Sequence, residues 1–259
     1  MKAHARIKGT FAVILGTLVV TANVHAAVVF FDDFNDGDAE DGNPVTWTPN
    51  PGGGCLDGTY DASSGDYHFW NRSSTPSGCM HAVAEEYELD STSVRTQFLQ
   101  GTKNVGIQLR GNSAESSSYI GVLHRDAGKL FIYREDPPID STSGNLVLLN
   151  EAKLPFNPLI LDVDVILQFD AFGDELSLRA WPADEPMPAA PYVTAYDTTF
   201  TAGTVGLVSV PGGQGYGDVF FRYVYVADER IPEPSSIVLA LVGLAGLVTF
   251  ALKRKVGTP

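Results

Sequence analysis

Short runs of alternating apolar and polar residues follow one another along most of this 259-residue chain. Between residues 28 and 226 the runs are separated by Gly, Pro, Asn, Asp and Ser, and no stretch of a dozen residues keeps a helical period. This spacing predicts about twelve strands. The expected fold class is therefore all-β, with two antiparallel sheets packed as a sandwich.

Alternation within the runs assigns side chains to the two faces of each strand. The predicted core positions are Val105, Ile107, Leu109, Val163, Val165, Leu167, Phe169, Leu176 and Leu178, with Trp47 as a further core residue. The same parity turns another set to the opposite side: Arg95, Gln97, Gln108, Arg110, Arg179 and Trp181. The two longest irregular stretches, 35–54 and 182–191, are predicted to be surface loops.

An outward row of Arg, Gln and Trp favours a sugar-binding face. A sugar needs an aromatic ring for its C–H face and planar polar groups for its hydroxyls. The predicted glycan-binding residues are Gln108, Arg110, Tyr119, Tyr133, Arg179 and Trp181, with Trp70 as a further platform candidate. Packing is the alternative role for each of them.

A cluster of carboxylates follows the first run and suggests calcium, because hard cations prefer several oxygens on a flexible loop. The hypothetical ligands are Asp32, Asp33, Asp36, Asp38 and Asp228. The spacing only partly matches an EF-hand loop, and acidic turn residues without a metal are the alternative.

The N-terminus resembles a secretory signal peptide of residues 1–26, because basic residues precede an apolar run that ends in small residues before Ala26. The run from Phe11 to Val20 is about half of the ~20 residues that a membrane-spanning helix needs. Export favours a disulfide between Cys55 and Cys79, the two cysteines of the chain, with free thiols as the alternative.

Charge narrows the choice of ligand. Residues 27–230 hold 11 Lys and Arg against 30 Asp and Glu, a formal charge of −19. Such a surface repels nucleic acid and anionic lipid, so no nucleic-acid partner is expected. Neutral glycans and divalent cations remain suitable ligands.

The C-terminus, residues 231–259, combines three features: Pro232-Glu233-Pro234, an apolar segment at 237–252, and the basic cluster Lys253-Arg254-Lys255. In this order they resemble a PEP-CTERM sorting signal. The resemblance implies transient anchoring in the inner membrane of a Gram-negative bacterium and cleavage by an exosortase near the Pro-Glu-Pro. The cleaved protein is then released or re-attached, at the cell surface or in the extracellular matrix. As a helix the apolar segment would span about 24 Å, slightly short of a ~30 Å bilayer core. A permanent anchor is the alternative.

The segment 27–230 resembles the concanavalin A-like, LamG-type jelly-roll domains of secreted bacterial proteins, on "FFDDFNDGDAEDGNPVTW", "FDAFGDELSLRAWPADEPMPAAP" and "GTVGLVSV" followed by "GDVFFRYVYVAD". The resemblance implies two curved sheets of six or seven strands and glycan binding on the concave face. It also implies that the terminal strands pair, which places Phe30 and Phe31 beside the strand from Phe220 to Val226.

Catalysis is not expected. Laminarinase-type glycosidases of this fold carry Glu-x-Asp-x-Glu, or a variant one residue longer, on a strand, because a retaining mechanism needs two carboxylates about 5 Å apart. The nearest match here is Glu88-Leu89-Asp90, and Thr92 and Ser93 stand where the third Glu would be. Asp162 and Asp164 are a further acid–base candidate pair. The expected function is binding of exopolysaccharide by an exported surface or matrix protein. The alternatives are a matrix or adhesion protein without a defined ligand and a divergent glycoside hydrolase.

Overall fold

The computed structural model describes residues 27–49, 58–71, 80–99, 104–137, 145–158, 163–210 and 217–231. The predicted signal peptide, Cys55, Cys79, Asp162 and the tail from Pro232 onwards lie outside these residues. None of the described residues belongs to a helix that is long and apolar enough to cross a membrane. The strands are β1 (Val28–Asp32), β2 (Trp47–Pro49), β3 (Gly58–Asp61), β4 (Tyr67–Asn71), β5 (Met80–Leu89), β6 (Thr92–Leu99), β7 (Asn104–Asn112), β8 (Ser117–His124), β9 (Lys129–Asp136), β10 (Asn145–Lys153), β11 (Val165–Phe172), β12 (Glu175–Pro182), β13 (Val193–Tyr196), β14 (Gly203–Val210) and β15 (Gly217–Ala227).

The strands form two antiparallel sheets, and the predicted all-β sandwich is confirmed. Sheet A has the order β13-β12-β11-β6-β15-β4-β3, with β1 added against β15. Sheet B has the order β10-β9-β8-β7-β14-β5-β2. Phe30 pairs with Val226 and Phe31 with Tyr225, so the predicted pairing of the terminal strands is also confirmed.

The core lies between the sheets and is filled by the positions that alternation selected. Ile107 and Leu109 of sheet B and Leu167 and Phe169 of sheet A are all fully buried. Trp47 is buried as well, whereas Val163 lies just before β11 and is only half-buried. The inner faces are set by these residues, and the residues between them in sequence form the outer faces.

Gly121 lets the sheets approach closely at the centre. A Cβ at this position would lie 2.8 Å from Leu178 Cδ1 and 2.9 Å from Phe169 Cγ. Because these neighbours are themselves fully buried, they have little room to move. The absence of a side chain at position 121 is therefore part of the packing between the sheets.

Candidate functional site

Aromatic side chains follow β15 and its neighbours on the outer face of sheet A. We call this set the aromatic strip; it consists of Phe31, His68, Trp70, Phe220, Tyr223 and Tyr225. Phe31 is 47% exposed, and the others are half-buried. Phe220 pairs with Leu99 and Tyr225 with Arg95, so the strip extends about 13 Å between these two rings, at ~3.3 Å for each of the four residue steps along β6.

An irregularity in β15 places the two tyrosines on this face. Val219 and Phe221 point into the core, so strict alternation would also bury Tyr223 and Tyr225. The pairing with β6 shifts register between Phe221 and Tyr223, as in a β-bulge. After the shift Val224 and Val226 fill the core and the tyrosines lie outside.

The rings of the strip contact one another. Phe31 lies 5.8 Å from Tyr223 and 6.5 Å from Tyr225, between ring centroids. At the other end His68 stacks on Phe220 at 4.0 Å and 10°. Burial lowers the pKa of His68, although Asp218 and Asp61 oppose the shift, so the imidazole is neutral at pH 7.

Trp70 continues the second group of rings. Its plane is 16° from that of His68, at a centroid distance of 6.2 Å. The strip therefore offers several flat, neutral rings on three neighbouring strands, with β1 and β4 both paired to β15.

Charged groups beside the strip are paired with each other. Arg222 of β15 binds Asp66 on one side and Asp164 on the other, the latter at 3.1 Å from Nε. Asp164 also accepts a hydrogen bond from Gln97 Nε2 at 2.8 Å. These pairs hold the Arg222 guanidinium and the Gln97 amide beside the rings, and one positive charge against two carboxylates leaves this group with a formal charge of −1.

A buried polar network adjoins the strip on β6, β11 and β12. Its members are Ser93, Gln168, Asp170, Ser177 and Arg179, all at most 8% exposed. Asp170 is the centre: it accepts hydrogen bonds from Gln168 Nε2 at 2.9 Å and Ser177 Oγ at 3.3 Å, and from Ser93 Oγ. Arg179 Nη2 lies 3.7 Å from Asp170 Oδ2.

The loop between β12 and β13 covers this network. Pro188 O accepts a hydrogen bond from Arg179 Nη1 at 3.2 Å, and Met187 Sδ lies 3.1 Å from Arg95 Nη2. The guanidinium of Arg95 lies 5.5 Å from the ring centre of Trp181. Trp181 and Arg179 are thus on the predicted outward side but are covered, being 4% and 8% exposed. In this arrangement they stabilise the sheet and offer no open platform.

Arg95 and Gln97 connect the network to the strip through strand pairing. Arg95 pairs with Tyr225 and Gln97 with Tyr223 across β6 and β15. Arg95 also donates to Gln168 Oε1 from Nε at 3.0 Å and from Nη2 at 2.7 Å. These two half-buried side chains are the part of the predicted outward row that borders the exposed rings.

Gln108 and Arg110 do not join this face, because β7 belongs to sheet B. Gln108 is 5% exposed and binds His81 Nδ1 through Oε1 at 3.0 Å. Arg110 is 3% exposed and donates to the carbonyl oxygens of Asp90, Gly173 and Phe200. The prediction that both lie on an open outer surface is wrong, since Arg110 ties three connecting segments together.

Tyr119 and Tyr133 also belong to sheet B. Tyr119 is fully buried in the core, where its hydroxyl donates to Asp197 Oδ1 at 2.6 Å. Tyr133 is half-buried on the outer face of sheet B and stacks with Phe131 at 5.6 Å. The predicted glycan-binding residues are therefore divided between the two sheets.

Asp197 gives the Tyr119 contact a measurable pH dependence. Burial alone would raise the pKa of Asp197, but hydrogen bonds from Tyr119, Thr199 and Arg134 outweigh burial and lower it to about 2. A depressed pKa stabilises the fold above the unfolded value of 3.8, and this stabilisation is lost as the pH falls through the folded pKa.

We expect Asp197→Asn to lower the free energy of unfolding by about 1–2 kcal/mol at pH 7, with partial solvent screening taken into account. At pH 2.5 the difference from wild type should be much smaller. Urea denaturation at both pH values measures this, with the exposed Asp184→Asn as the matched control. An equal loss at both pH values would contradict the assignment.

The acidic loop after β1 uses its carboxylates as local turn acceptors. Asp33, Asp36 and Asp38 each accept the backbone N–H two residues ahead, at 3.3, 3.2 and 2.9 Å. Asp32 accepts from Phe34 N at 2.9 Å and from Trp47 Nε1 at 2.8 Å.

The fifth hypothetical calcium ligand lies apart from these four. Asp228 is next to Ala27 at one end of β1, whereas Asp32 pairs with Val224 at the other, about 13 Å away along the strand. In the described part of the chain no group of three or more His, Cys, Asp or Glu side chains could hold a metal ion. Calcium stays a prediction, tested by the change in melting temperature on adding calcium and then a chelator.

The candidate catalytic carboxylates lie on two different parts of the fold, the end of β5 and the segment before β11. Glu88 is exposed near the end of β5, and Asp90 lies in the turn that follows it. Asp164 is occupied by Arg222 and Gln97, and its candidate partner Asp162 lies outside the described residues.

Comparison with known sequences identifies the tail of the chain. Residues 230–255 match the family model of the PEP-CTERM protein-sorting motif. The chain carries a PEP-CTERM sorting motif. This motif indicates a secreted protein that an exosortase processes, as the tail predicted. Among curated proteins no sequence matches the chain.

Solved structures share the fold at low sequence identity. A Bacillus subtilis protein of unknown function with a galectin-like fold is 11% identical, covers 79% of this chain and 97% of its own, and has a TM-score of 0.54. A β-1,3-1,4-glucanase (lichenase) derived from a mouse hindgut metagenome is 14% identical, with coverage of 77% and 99% and a TM-score of 0.50. The carbohydrate-binding module CBM66 from Bacillus subtilis is 13% identical, with coverage of 71% and 96% and a TM-score of 0.47. The first two similarities support the concanavalin A-like jelly-roll architecture.

Proposed function

We propose that this PEP-CTERM protein binds a polysaccharide chain along the aromatic strip on the outer face of sheet A. The observation that carries the proposal is the row of Phe220, Tyr223 and Tyr225 along one strand, with Phe31 beside it. Aromatic faces contact the C–H surfaces of sugars, and the amide of Gln97 and the guanidinium of Arg95 can bind hydroxyl groups. A lichenase among the solved structures of this fold agrees with a glycan ligand.

The length of the strip favours a polymer over a single sugar. Trp70, which pairs with Asp218, extends the strip beyond the ~13 Å between Phe220 and Tyr225, and Phe31 widens it beside the two tyrosines. Several weak stacking contacts in a row bind successive units of a chain, so affinity should increase with chain length until the strip is covered.

Charge favours a neutral or weakly charged polymer. The protein carries a formal net charge of −14, which repels polyanions at low salt. Beside the strip Arg222 pairs with both Asp66 and Asp164, so its positive charge is not free to attract a polyanion. Binding should therefore depend little on ionic strength.

The sorting motif suggests where the ligand is met. We propose that the signal peptide exports the chain, that the tail holds it at the inner membrane, and that an exosortase then frees it for the cell surface or matrix of a Gram-negative bacterium. Exopolysaccharide is the polymer that a protein meets there, and it is the proposed partner. The Cys55–Cys79 disulfide and a bound calcium ion are further parts of this proposal.

Glycan arrays and pull-downs with the producing organism's exopolysaccharide test the function. Wild type should bind saturably, and Phe31→Ala should weaken the affinity about tenfold because it removes an exposed platform ring. Leu148→Ala is the matched control: Leu148 is 48% exposed, against 47% for Phe31, but lies on sheet B. Its affinity should stay within twofold of wild type.

Absence of saturable binding would overturn the proposal and favour a matrix or adhesion protein without a defined ligand. Release of reducing sugar from the same exopolysaccharide would instead identify a divergent hydrolase.

A further inference from the structure

The first residues of the sorting motif are part of the folded domain. The motif begins at residue 230, and the domain is described through Ile231. Just before it, Ala227 pairs with Val28, and Asp228 N donates to Ala27 O at 3.2 Å. The first and last strands of the described domain, β1 and β15, are therefore paired up to the point where the motif starts.

Arg230 and Ile231 both contact the domain. Arg230 Nη2 lies 2.5 Å from Glu175 Oε1, and its guanidinium carbon lies 4.8 Å from the ring centre of Phe172. Ile231 is 9% exposed and packs with Ala227 and Tyr225. The ion pair and the cation–π contact of Arg230, together with the apolar contacts of Ile231, thus hold two consecutive residues of the motif.

We propose that Phe172, Glu175, Tyr225 and Ala227 form a docking surface for the start of the sorting motif, and that this motif must leave the surface before its processing enzyme can engage it. A processing enzyme binds its substrate segment in an extended form within a cleft. The side chains of Arg230 and Ile231 are held on the domain, so these residues can enter such a cleft only after local opening.

The Pro-Glu-Pro triplet begins at Pro232, directly after Ile231 in the sequence, so local opening at Ile231 also affects access to the triplet. Consecutive Cα atoms are about 3.8 Å apart, so Pro232 follows directly from the docked Ile231. No spacer separates the folded domain from the Pro-Glu-Pro triplet. The stability of the docked state should therefore set the rate at which the junction becomes accessible.

Trypsin cleavage after Arg230 measures this accessibility in the full chain, purified in mild detergent. In wild type, cleavage should be at least tenfold slower than in a synthetic peptide of residues 225–235. Glu175→Gln should accelerate it about two- to fivefold, and Glu175→Gln combined with Phe172→Ala about tenfold, because an exposed ion pair and a cation–π contact are lost.

Glu151→Gln is the matched control. Lys129 and Glu151 form an exposed ion pair of the same 2.5 Å length on sheet B, far from the motif in strand order. This variant should be cleaved after Arg230 at the wild-type rate. Unfolding temperatures of all variants separate local opening from global loss of the fold.

Maturation in the producing bacterium is the second measurement. After a pulse of labelling, the double variant should convert from precursor to mature form faster than wild type and Glu151→Gln. Cleavage after Arg230 at the peptide's rate in wild type, equal cleavage of wild type and double variant, or slower maturation of the double variant would each overturn the proposal.

Discussion

Replacing Asp170 with alanine should lower the free energy of unfolding by about 3–5 kcal/mol. Asp170 is 1% exposed and accepts hydrogen bonds from Ser93, Gln168 and Ser177. Its removal leaves these donors unmatched and deprives the buried guanidinium of Arg179, 3.7 Å away, of its carboxylate. An uncompensated buried charge is among the costliest defects that a single substitution can produce.

Chemical denaturation measures this loss, with two comparison variants. Asp170→Asn keeps one acceptor oxygen and should lose less than Asp170→Ala, although it removes the charge and replaces the other acceptor by an NH2 donor. Asp126→Ala, at an exposed turn position, should stay within about 0.5 kcal/mol of wild type. A loss below 1 kcal/mol for Asp170→Ala would show that the network does not hold the outer layer of sheet A together.

Replacing Tyr223 and Tyr225 together with alanine should reduce the affinity for polysaccharide about a hundredfold. Each ring contributes apolar contact area and a face for a sugar, at about 1 kcal/mol or more per ring. The two rings lie next to each other along β15 and both contact Phe31. Their joint removal leaves Phe31 without its two neighbouring rings, so its contact with the sugar is weakened as well.

The matched control removes an aromatic pair from the other sheet. Phe131 and Tyr133 are half-buried, like Tyr223 and Tyr225, and their ring planes are 15° apart. Phe131→Ala combined with Tyr133→Ala should leave the affinity within twofold of wild type. Titration calorimetry with a defined oligosaccharide gives both values, and an equal loss in the two double variants would exclude a site confined to the strip.

The strands and the core could be predicted because each depends on a local pattern. Alternation at Val165, Leu167 and Phe169 marks the inner face of β11 without knowledge of its neighbours. The pairing of β1 with β15 could also be predicted, from the resemblance to jelly-roll domains. The sorting tail was recognised from the order of its parts.

The centre of the strip was not predicted, because it depends on an irregularity that strict alternation does not include. Counting from Val219 and Phe221 places Tyr223 and Tyr225 in the core. The alternation of Tyr with Val from 223 to 226 was a usable signal, since valine is the better core residue of the two. It conflicts with the parity of the first half of β15, and a bulge near Arg222 resolves the conflict.

The predicted outward row failed at Gln108 and Arg110 for a different reason. Parity gives the side of a strand but not the sheet to which the strand belongs. β6, β11 and β12 are neighbours, whereas β7 pairs with β8 and β14 in the other sheet. Parity also does not show which loops fold back, so it could not reveal that the segment with Met187 and Pro188 covers Arg179.

Whether polysaccharide binds along the aromatic strip can be measured by NMR, by titrating the isotopically labelled protein with an oligosaccharide from the producing organism's exopolysaccharide. We expect saturable chemical-shift changes in the Trp70 indole and in the rings of Phe220, Tyr223, Tyr225 and Phe31, with none at Phe131 and Tyr133. Shifts confined to sheet B, or no shifts at saturating polymer concentration, would contradict binding along the strip.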